Sequence, residues 1–434
     1  MSRRRDSPGR VLVANRGEIA VRIIRACREL GRSPVAGYGD GEERALHVRL
    51  ADDAYRLPAG AGLPYLDIDA LVAIARRANV DAIHPGYGFL AENAAFAEAC
   101  GEAGFVFVGP SVAAIRMMGD KVEARRIARS AGLPVVPGSD GPVATIEEAT
   151  AWAAEHGYPL AVKAAGGGGG RGFRVARREP ELADAFAGSV GEARRYFANP
   201  VVYLERYLER PRHIEIQLFA DQLSNTVALG ERDCSIQRRH QKLIEETPSP
   251  AVGADLRASL EGAALALARA VGYVGAGTVE FLVDETGEFY FLEMNTRIQV
   301  EHTVTEAVTG LDLVAEQLRV ASGLPLSFQQ EDVQARGHAI ECRINAEDPG
   351  RDFAPTPGTL GGYLAPAGPG VRVDSAMEPE ARIDPAYDSL IAKVIVWDRD
   401  RPRAIARMRR ALGEFQISGL PTTIPFHLAV LNHP

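Results

Sequence analysis

Two apolar stretches, 277–283 and 288–294, are separated by only four residues, and each carries an acid inside it, Glu280 and Glu293. The intervening segment 284–287 has turn composition, so the pair reads as a β-hairpin that sets the two acids side by side. Adjacent carboxylates repel each other unless a cation lies between them. Paired acids in solvent are the plainer alternative, but apolar residues flank both. Hard oxygen donors of this kind suit Mg²⁺ (or Mn²⁺), with Asn295 as a third ligand. The chain then alternates. Glu293, Asn295, Arg297, Gln299 and Glu301 would share one face of an extended strand, and Met294, Thr296, Ile298, Val300 and His302 the other. Acids, amides and a guanidinium together suit a metal, an anion and a proton transfer at one place. A solvated sheet face with cross-strand ion pairs would give the same pattern. A strand ending at Asn295 would divide the patch in two.

The remaining chain supplies a frame of alternating elements. A strand over 11–15, a helix from Gly17 closed by Gly31, and strands over 33–38, 82–83 and 105–108 with a helix over 66–78 predict a doubly wound α/β domain over 1–119. A linker helix opens at Lys121, and the linker is assigned to 120–133. A small α+β lid over 134–208 follows: helix 146–156, strands 160–164 and 173–176, helix 180–190 and strand 201–205. A larger α+β region, 209–434, has strands over 213–219, 226–229, 277–283, 288–294, 337–344, 360–364 and 390–397, with helices over 254–271, 311–322 and 402–415. No apolar run is long enough to span a bilayer. The four scattered cysteines (Cys27, Cys100, Cys234, Cys342) fit free thiols in a reducing cytoplasm. A net charge of −8 argues against general nucleic-acid binding.

Between strands 160–164 and 173–176 lies Gly166-Gly167-Gly168-Gly169-Gly170-Arg171-Gly172. Such a run is entropically costly to order and makes sense where backbone amides approach a ligand closely. A strand rather than a helix follows it, which rejects a dinucleotide fingerprint. Lys163 precedes the glycines instead of following them, which rejects a Walker A loop. A hairpin tip over phosphates, with Lys163 at its base, remains; a flexible surface loop would leave the lysine unexplained. Lysine is rare here, at Lys121, Lys163, Lys242 and Lys393 only, among 49 basic residues. A compact ammonium can follow a phosphate as a point charge in a way the planar guanidinium cannot.

Two lysines around a small glycine-loop domain, followed by an acidic strand pair, resemble an ATP-grasp ligase. The segments 14–20, 84–90, 118–121, 163–172, 231–242, 293–302 and 341–348 go further: in this order, and across nearly the whole chain, they resemble biotin carboxylase. The resemblance implies that ATP lies between the lid and the C-terminal region. Lys121, Lys163 and the loop glycines Gly168, Gly169 and Gly170 would meet phosphates, and Glu205 and Leu208 the adenine hinge. His213, Gln237 and His240 would line the nucleotide site, and Glu280, Glu293 and Asn295 would hold the metal. Bicarbonate would sit against Lys242, Arg297, Gln299 and the Val300 backbone. Glu301 would be the base, Arg343 would stabilise the biotin enolate, and Tyr87 would belong to the loop bordering biotin. It also implies a biotin carboxyl carrier protein or domain and a carboxyltransferase as partners, because neither a Met-Lys-Met acceptor motif nor a transferase region occurs. A homodimer is implied through Arg22, Arg25, Glu29 and Arg372, although Pro369 replaces an aromatic that some members carry there. Two rivals are another ATP-grasp carboxylate ligase, which would not need Glu301 or Arg343, and an idle nucleotide-binding module, which would be expected to lose a lysine or a metal acid.

Overall fold

The computed structural model describes residues 9–60, 62–139, 141–164, 172–197 and 201–433. The expected phosphate contacts Gly168, Gly169 and Gly170 therefore lie outside the described residues. Arg10–Val13 is the centre of a parallel sheet with the order Asp53–Arg56, Ser33–Tyr38, Arg10–Val13, Ala82–His84, Val106–Phe107. The order runs outward in both directions from the first strand, as a doubly wound sheet requires. The edge strand Asp53–Arg56 was not expected; it is half-exposed and has no apolar run to announce it. Gly86, at φ +66°, is needed for the turn after the Ala82–His84 strand, because a Cβ there would meet Asn15 Nδ2 at 2.9 Å. That Asn15 amide holds the loop by donating to the carbonyls of Pro85 (2.7 Å) and Tyr87 (2.8 Å).

Leu160–Ala164 is the middle of a three-stranded antiparallel sheet, between Phe173–Ala176 and Val202–Arg206. Helices Ile146–His156 and Glu179–Phe197 accompany it, the second reaching seven residues past its expected end. A modest cluster that includes Val143, Leu160, Val162, Leu182, Val202 and Leu204 is its core.

The largest element is an eight-stranded sheet, entirely antiparallel. Its order is Phe289–Asn295, Gly275–Val283, Arg212–Ala220, Thr226–Arg238, Gln241–Thr247, His338–Asn345, Leu390–Asp398, Val371–Ser375. Helix Ala254–Ala270 packs one half and Arg401–Glu414 the other. A further cluster joins the helix Gly17–Glu29 and the first sheet to Leu313–Ala321. No helix among the described residues is long and apolar enough to cross a membrane.

Several expectations need correction. The strand expected over 226–229 continues to Arg238 through a register shift between Ala228 and Glu231, carrying buried Glu231, Arg232 and Asp233 where an apolar pattern was sought. Gln241–Thr247 was not expected as a strand. The helix expected over 311–322 is Leu313–Ala321, preceded by a separate helix His302–Thr309 with Gly310, at φ +73°, between them. The strand over 360–364 is instead two short strands, Gly358–Thr359 and Tyr363–Leu364, pairing with different partners across Gly361 and Gly362.

Candidate active site

Glu280 and Glu293 are direct cross-strand partners, as the hairpin reading requires. The strand carrying Glu293 ends at Asn295, and residues 296–301 form an irregular turn that enters the helix His302–Thr309. The alternating patch is thus two groups: Glu293 and Asn295 on the strand, Arg297, Gln299 and Glu301 on the turn. A cavity of about 1320 Å³ lies between the small sheet and the eight-stranded sheet. Its wall contains Lys121, Lys163, Glu205, Leu208, His213, Gln237, His240, Lys242, Glu280, Glu293, Asn295, Arg297, Gln299, Val300, Glu301 and Arg343. Tyr87 is outside that wall, with its hydroxyl donating to Glu18.

The floor is a connected set of charges. Lys242 Nζ lies 2.5 Å from Glu215, 2.9 Å from Glu280 and 2.6 Å from Glu301. Arg343 lies 2.9 Å from the other oxygen of Glu301 and 2.6 Å from Glu245. Beneath them Arg232, fully buried, donates to Glu215 (2.5 Å), Gln217 (2.7 Å), Gln299 (2.8 Å), Thr305 (3.0 Å) and Thr278 (3.2 Å). Burial opposes the charge on Glu301, but Lys242, Arg343 and Arg232 together outweigh it and hold the carboxyl well below its usual range. The same balance, with the signs reversed, raises Lys242 well above an ordinary lysine. Burial lifts Glu245 up to about 8 even though Arg343 pulls it down.

Glu280 is the best-solvated acid of the floor by protein donors. Asn295 Nδ2 (2.9 Å), Gln299 Nε2 (2.7 Å) and Lys242 converge on one oxygen, and His213 Nε2 stands 2.7 Å from the other. Burial opposes its charge, but Lys242 and His213 outweigh that and keep it ionised. Glu293 contrasts with it, since burial and the neighbouring Glu280 charge push its carboxyl up. An ionised acid facing one forced upward is a donor pair that a divalent cation would relieve, so these residues fit Mg²⁺ or Mn²⁺. Asn295 Oδ1 accepts from Arg297 at 2.9 Å and keeps a second lone pair.

On the opposite wall, Lys163 and Arg125 both pair with Glu205. His240 is presented by a two-residue turn in which it and Arg239 both have positive φ, 67° and 49°, the conformation of a tight hairpin.

Sequence reasoning missed Glu92, whose carboxylate accepts from Thr296 N and from Arg297 Nε, both at 2.9 Å. No local pattern marks it, because its partners lie about 200 residues on. It also missed Glu215, Arg232 and Glu245. Glu215 was findable, since His213, Glu215 and Gln217 alternate along one face of their strand.

Sequence and structure comparisons find relatives along nearly the whole chain. Residues 7–115 match the biotin carboxylase N-terminal domain, 120–329 the ATP-binding domain of the carbamoyl-phosphate synthase L chain, and 341–434 the biotin carboxylase C-terminal domain. Biotin carboxylase 1 of Bacillus subtilis is 57% identical over 98% of this chain and 95% of that protein. A pyruvate carboxylase subunit of Methanothermobacter thermautotrophicus is 53% identical over 98% of this chain and 86% of that protein. The biotin carboxylase domain dimer of Hydrogenobacter thermophilus 2-oxoglutarate carboxylase, solved with MgADP, ADP and bicarbonate, superposes with a TM-score of 0.93 at 48% identity, covering 98% of this chain and 94% of that one. With such likeness along its whole length, this chain belongs to the biotin carboxylase family.

Proposed function

We propose that the protein carboxylates biotin at N1′ on a carrier protein, using ATP and bicarbonate and passing through carboxyphosphate. The observation that carries this reading is the Lys242–Glu301–Arg343 cluster, with contacts of 2.6 and 2.9 Å, beside the Glu280–Glu293 pair in one cavity. Lys121 and Lys163 contact the ATP phosphates, Glu205 and Leu208 the adenine, and His213, Gln237 and His240 line the nucleotide site. Glu280, Glu293 and Asn295 would hold Mg²⁺ or Mn²⁺, which supplies charge neutralisation at the phosphates. Bicarbonate binds against Lys242, Arg297, Gln299 and the Val300 backbone. Glu301 takes its proton as a bicarbonate oxygen forms a bond to the γ-phosphorus and the bond to ADP breaks. Carboxyphosphate then yields CO₂ and phosphate. The phosphate removes the proton from biotin N1′, and the nitrogen attacks CO₂ while Arg343 faces the ureido oxygen.

The electrostatics make Glu301 conditional. With Lys242 and Arg343 both on it, Glu301 is a weaker base than an ordinary carboxylate. Bicarbonate against Lys242 and biotin against Arg343 each draw a cation away, so the base strengthens as substrates arrive. The domain division read from the sequence assigns the three-stranded unit, 134–208, to the lid that excludes water from labile carboxyphosphate.

Some relatives of this chain are separate subunits, and others are one domain of a longer pyruvate carboxylase. The partners follow from the chemistry: a biotin carboxyl carrier to receive CO₂, a carboxyltransferase to use it, and a second copy of the chain, as in the Hydrogenobacter dimer. In this chain Arg22 and Arg372 both bind Glu306, at 2.8 and 2.7 Å, so that face is braced from within. The four buried free thiols suit a cytoplasmic setting.

The test is ATP hydrolysis that depends on bicarbonate and is stimulated by free biotin; hydrolysis indifferent to both would overturn the reading. Glu301→Gln should lower kcat by about 10²–10⁴-fold, and full turnover would remove the assigned base. Arg343→Ala should spare ATP binding while impairing biotin carboxylation.

A further inference from the structure

Lys393, alone among the four lysines, has no role in the proposed carboxylation. It lies on the strand Leu390–Asp398, paired in register with Arg343 on one side and Asp374 on the other, and is fully buried. Its Nζ donates to the Val300 carbonyl at 2.8 Å and lies 3.2 Å from Glu18 and 4.0 Å from Asp374. Glu18 Oε1 also accepts from the Tyr87 hydroxyl, and the Lys393 ammonium stands 5.9 Å from the centre of the Tyr87 ring. Burying an ammonium costs several kcal/mol, and an apolar side chain of like length would fill the strand position without that cost. What the ammonium adds is direction. Val300 lies in the irregular turn 296–301, where no strand or helix sets its carbonyl. Fixing that oxygen fixes the Val300–Glu301 peptide plane, and with it the origin of the Glu301 side chain.

We infer that Lys393 is a positioning residue for both halves of the reaction. Its ammonium holds the bicarbonate turn by the Val300 carbonyl and, through Glu18, ties that turn to Tyr87 in the loop assigned to biotin. This rests on the carboxylation reading. A residue that only balanced the buried acids would alter stability without discriminating among substrates, whereas a positioning residue separates them.

The experiment compares the KM values for bicarbonate, ATP and free biotin in the wild type, Lys393→Met and Glu18→Gln. Misplacing a reacting group by about 1 Å can cost on the order of 10²-fold. Lys393→Met should therefore raise the bicarbonate KM by about tenfold or more, with the ATP KM within about twofold of wild type. Glu18→Gln is a neutral isostere that keeps the Lys393–Val300 bond, and it carries the test alone if the lysine variant fails to fold. It should raise the biotin KM by about threefold or more and move the bicarbonate KM less. An unchanged bicarbonate KM in Lys393→Met, an unchanged biotin KM in Glu18→Gln, or an equal rise in all three KM values would overturn the inference. Wild-type hydrolysis independent of bicarbonate would overturn the carboxylation reading as well, so the two failures are distinguishable.

Discussion

Lys163 and Lys242 face the same cavity, and each meets a glutamate from a nearby strand. The Lys163 side chain keeps 36% of its exposure and pairs with Glu205, itself 9% exposed, which Arg125 also meets. The Lys242 side chain keeps 12% and meets three acids, none more than 5% exposed, of which Glu215 is also held by Arg232. The small sheet has three strands and one modest core; the large sheet has eight strands with helices packed on it. A site that must admit a nucleotide and then exclude water needs one wall that moves and one that does not. The buried network fixes the floor, because any shift would strand a charge. The opposite wall strands less charge when it moves, because Lys163 is partly exposed and Arg125 also pairs with Glu205.

Arg232→Met attacks the floor most directly. It leaves Glu215 buried without its guanidinium, and breaking a buried pair in this way costs about 3–5 kcal/mol. Urea unfolding should register a loss of that size, and a loss below about 1 kcal/mol would end the distinction between the walls. A second test sharpens the contrast through pH. His427, fully buried behind the floor, contacts the Arg343 carbonyl at 2.7 Å, and burial pulls its pKa down to about 4. The unfolded chain therefore takes up a proton near pH 6.5 that the folded protein refuses until about pH 4. Stability contributed by the neutral ring is present above pH 6.5 and is lost as the pH falls between these values. From pH 7 to 5 the loss is about 2 kcal/mol, at about 1.4 kcal/mol per pH unit below the unfolded pKa. His427→Gln should flatten the slope of unfolding free energy against pH by that amount, and an unchanged slope would clear His427. The smallest effect on stability belongs to the other wall. Lys163→Met should cost less stability than Arg232→Met, because Arg125 still pairs with Glu205, while raising the ATP KM about tenfold. A destabilisation matching that of Arg232→Met would make both walls equally rigid.

Much of the frame was legible because its signals are local. Helix Ile146–His156 and strands Ser33–Tyr38, Leu160–Ala164 and Phe173–Ala176 fall at the expected residues, since their periodicity and the glycines and prolines beside them are local signals. The Glu280–Glu293 pairing was legible for the same reason, as a short turn permits few registers. Thr226–Arg238 was truncated because its second half buries charge, and a rule that equates burial with apolarity stops there. Glu92, Arg232 and Lys393 were beyond local reading, because each acts on a partner 60 or more residues away.

The sequence alone determined the acidic hairpin, the glycine run with its lysine, and the order of motifs along the chain. Each depends on residues close enough in sequence for strand geometry and turn chemistry to decide. Only the tertiary structure decided which charges meet. Lys242, Glu215, Glu301 and Arg343 become neighbours through strand order and the turn after Asn295. In a buried site, the strength and even the protonation of each group depend on those neighbours, which no short stretch of chain contains.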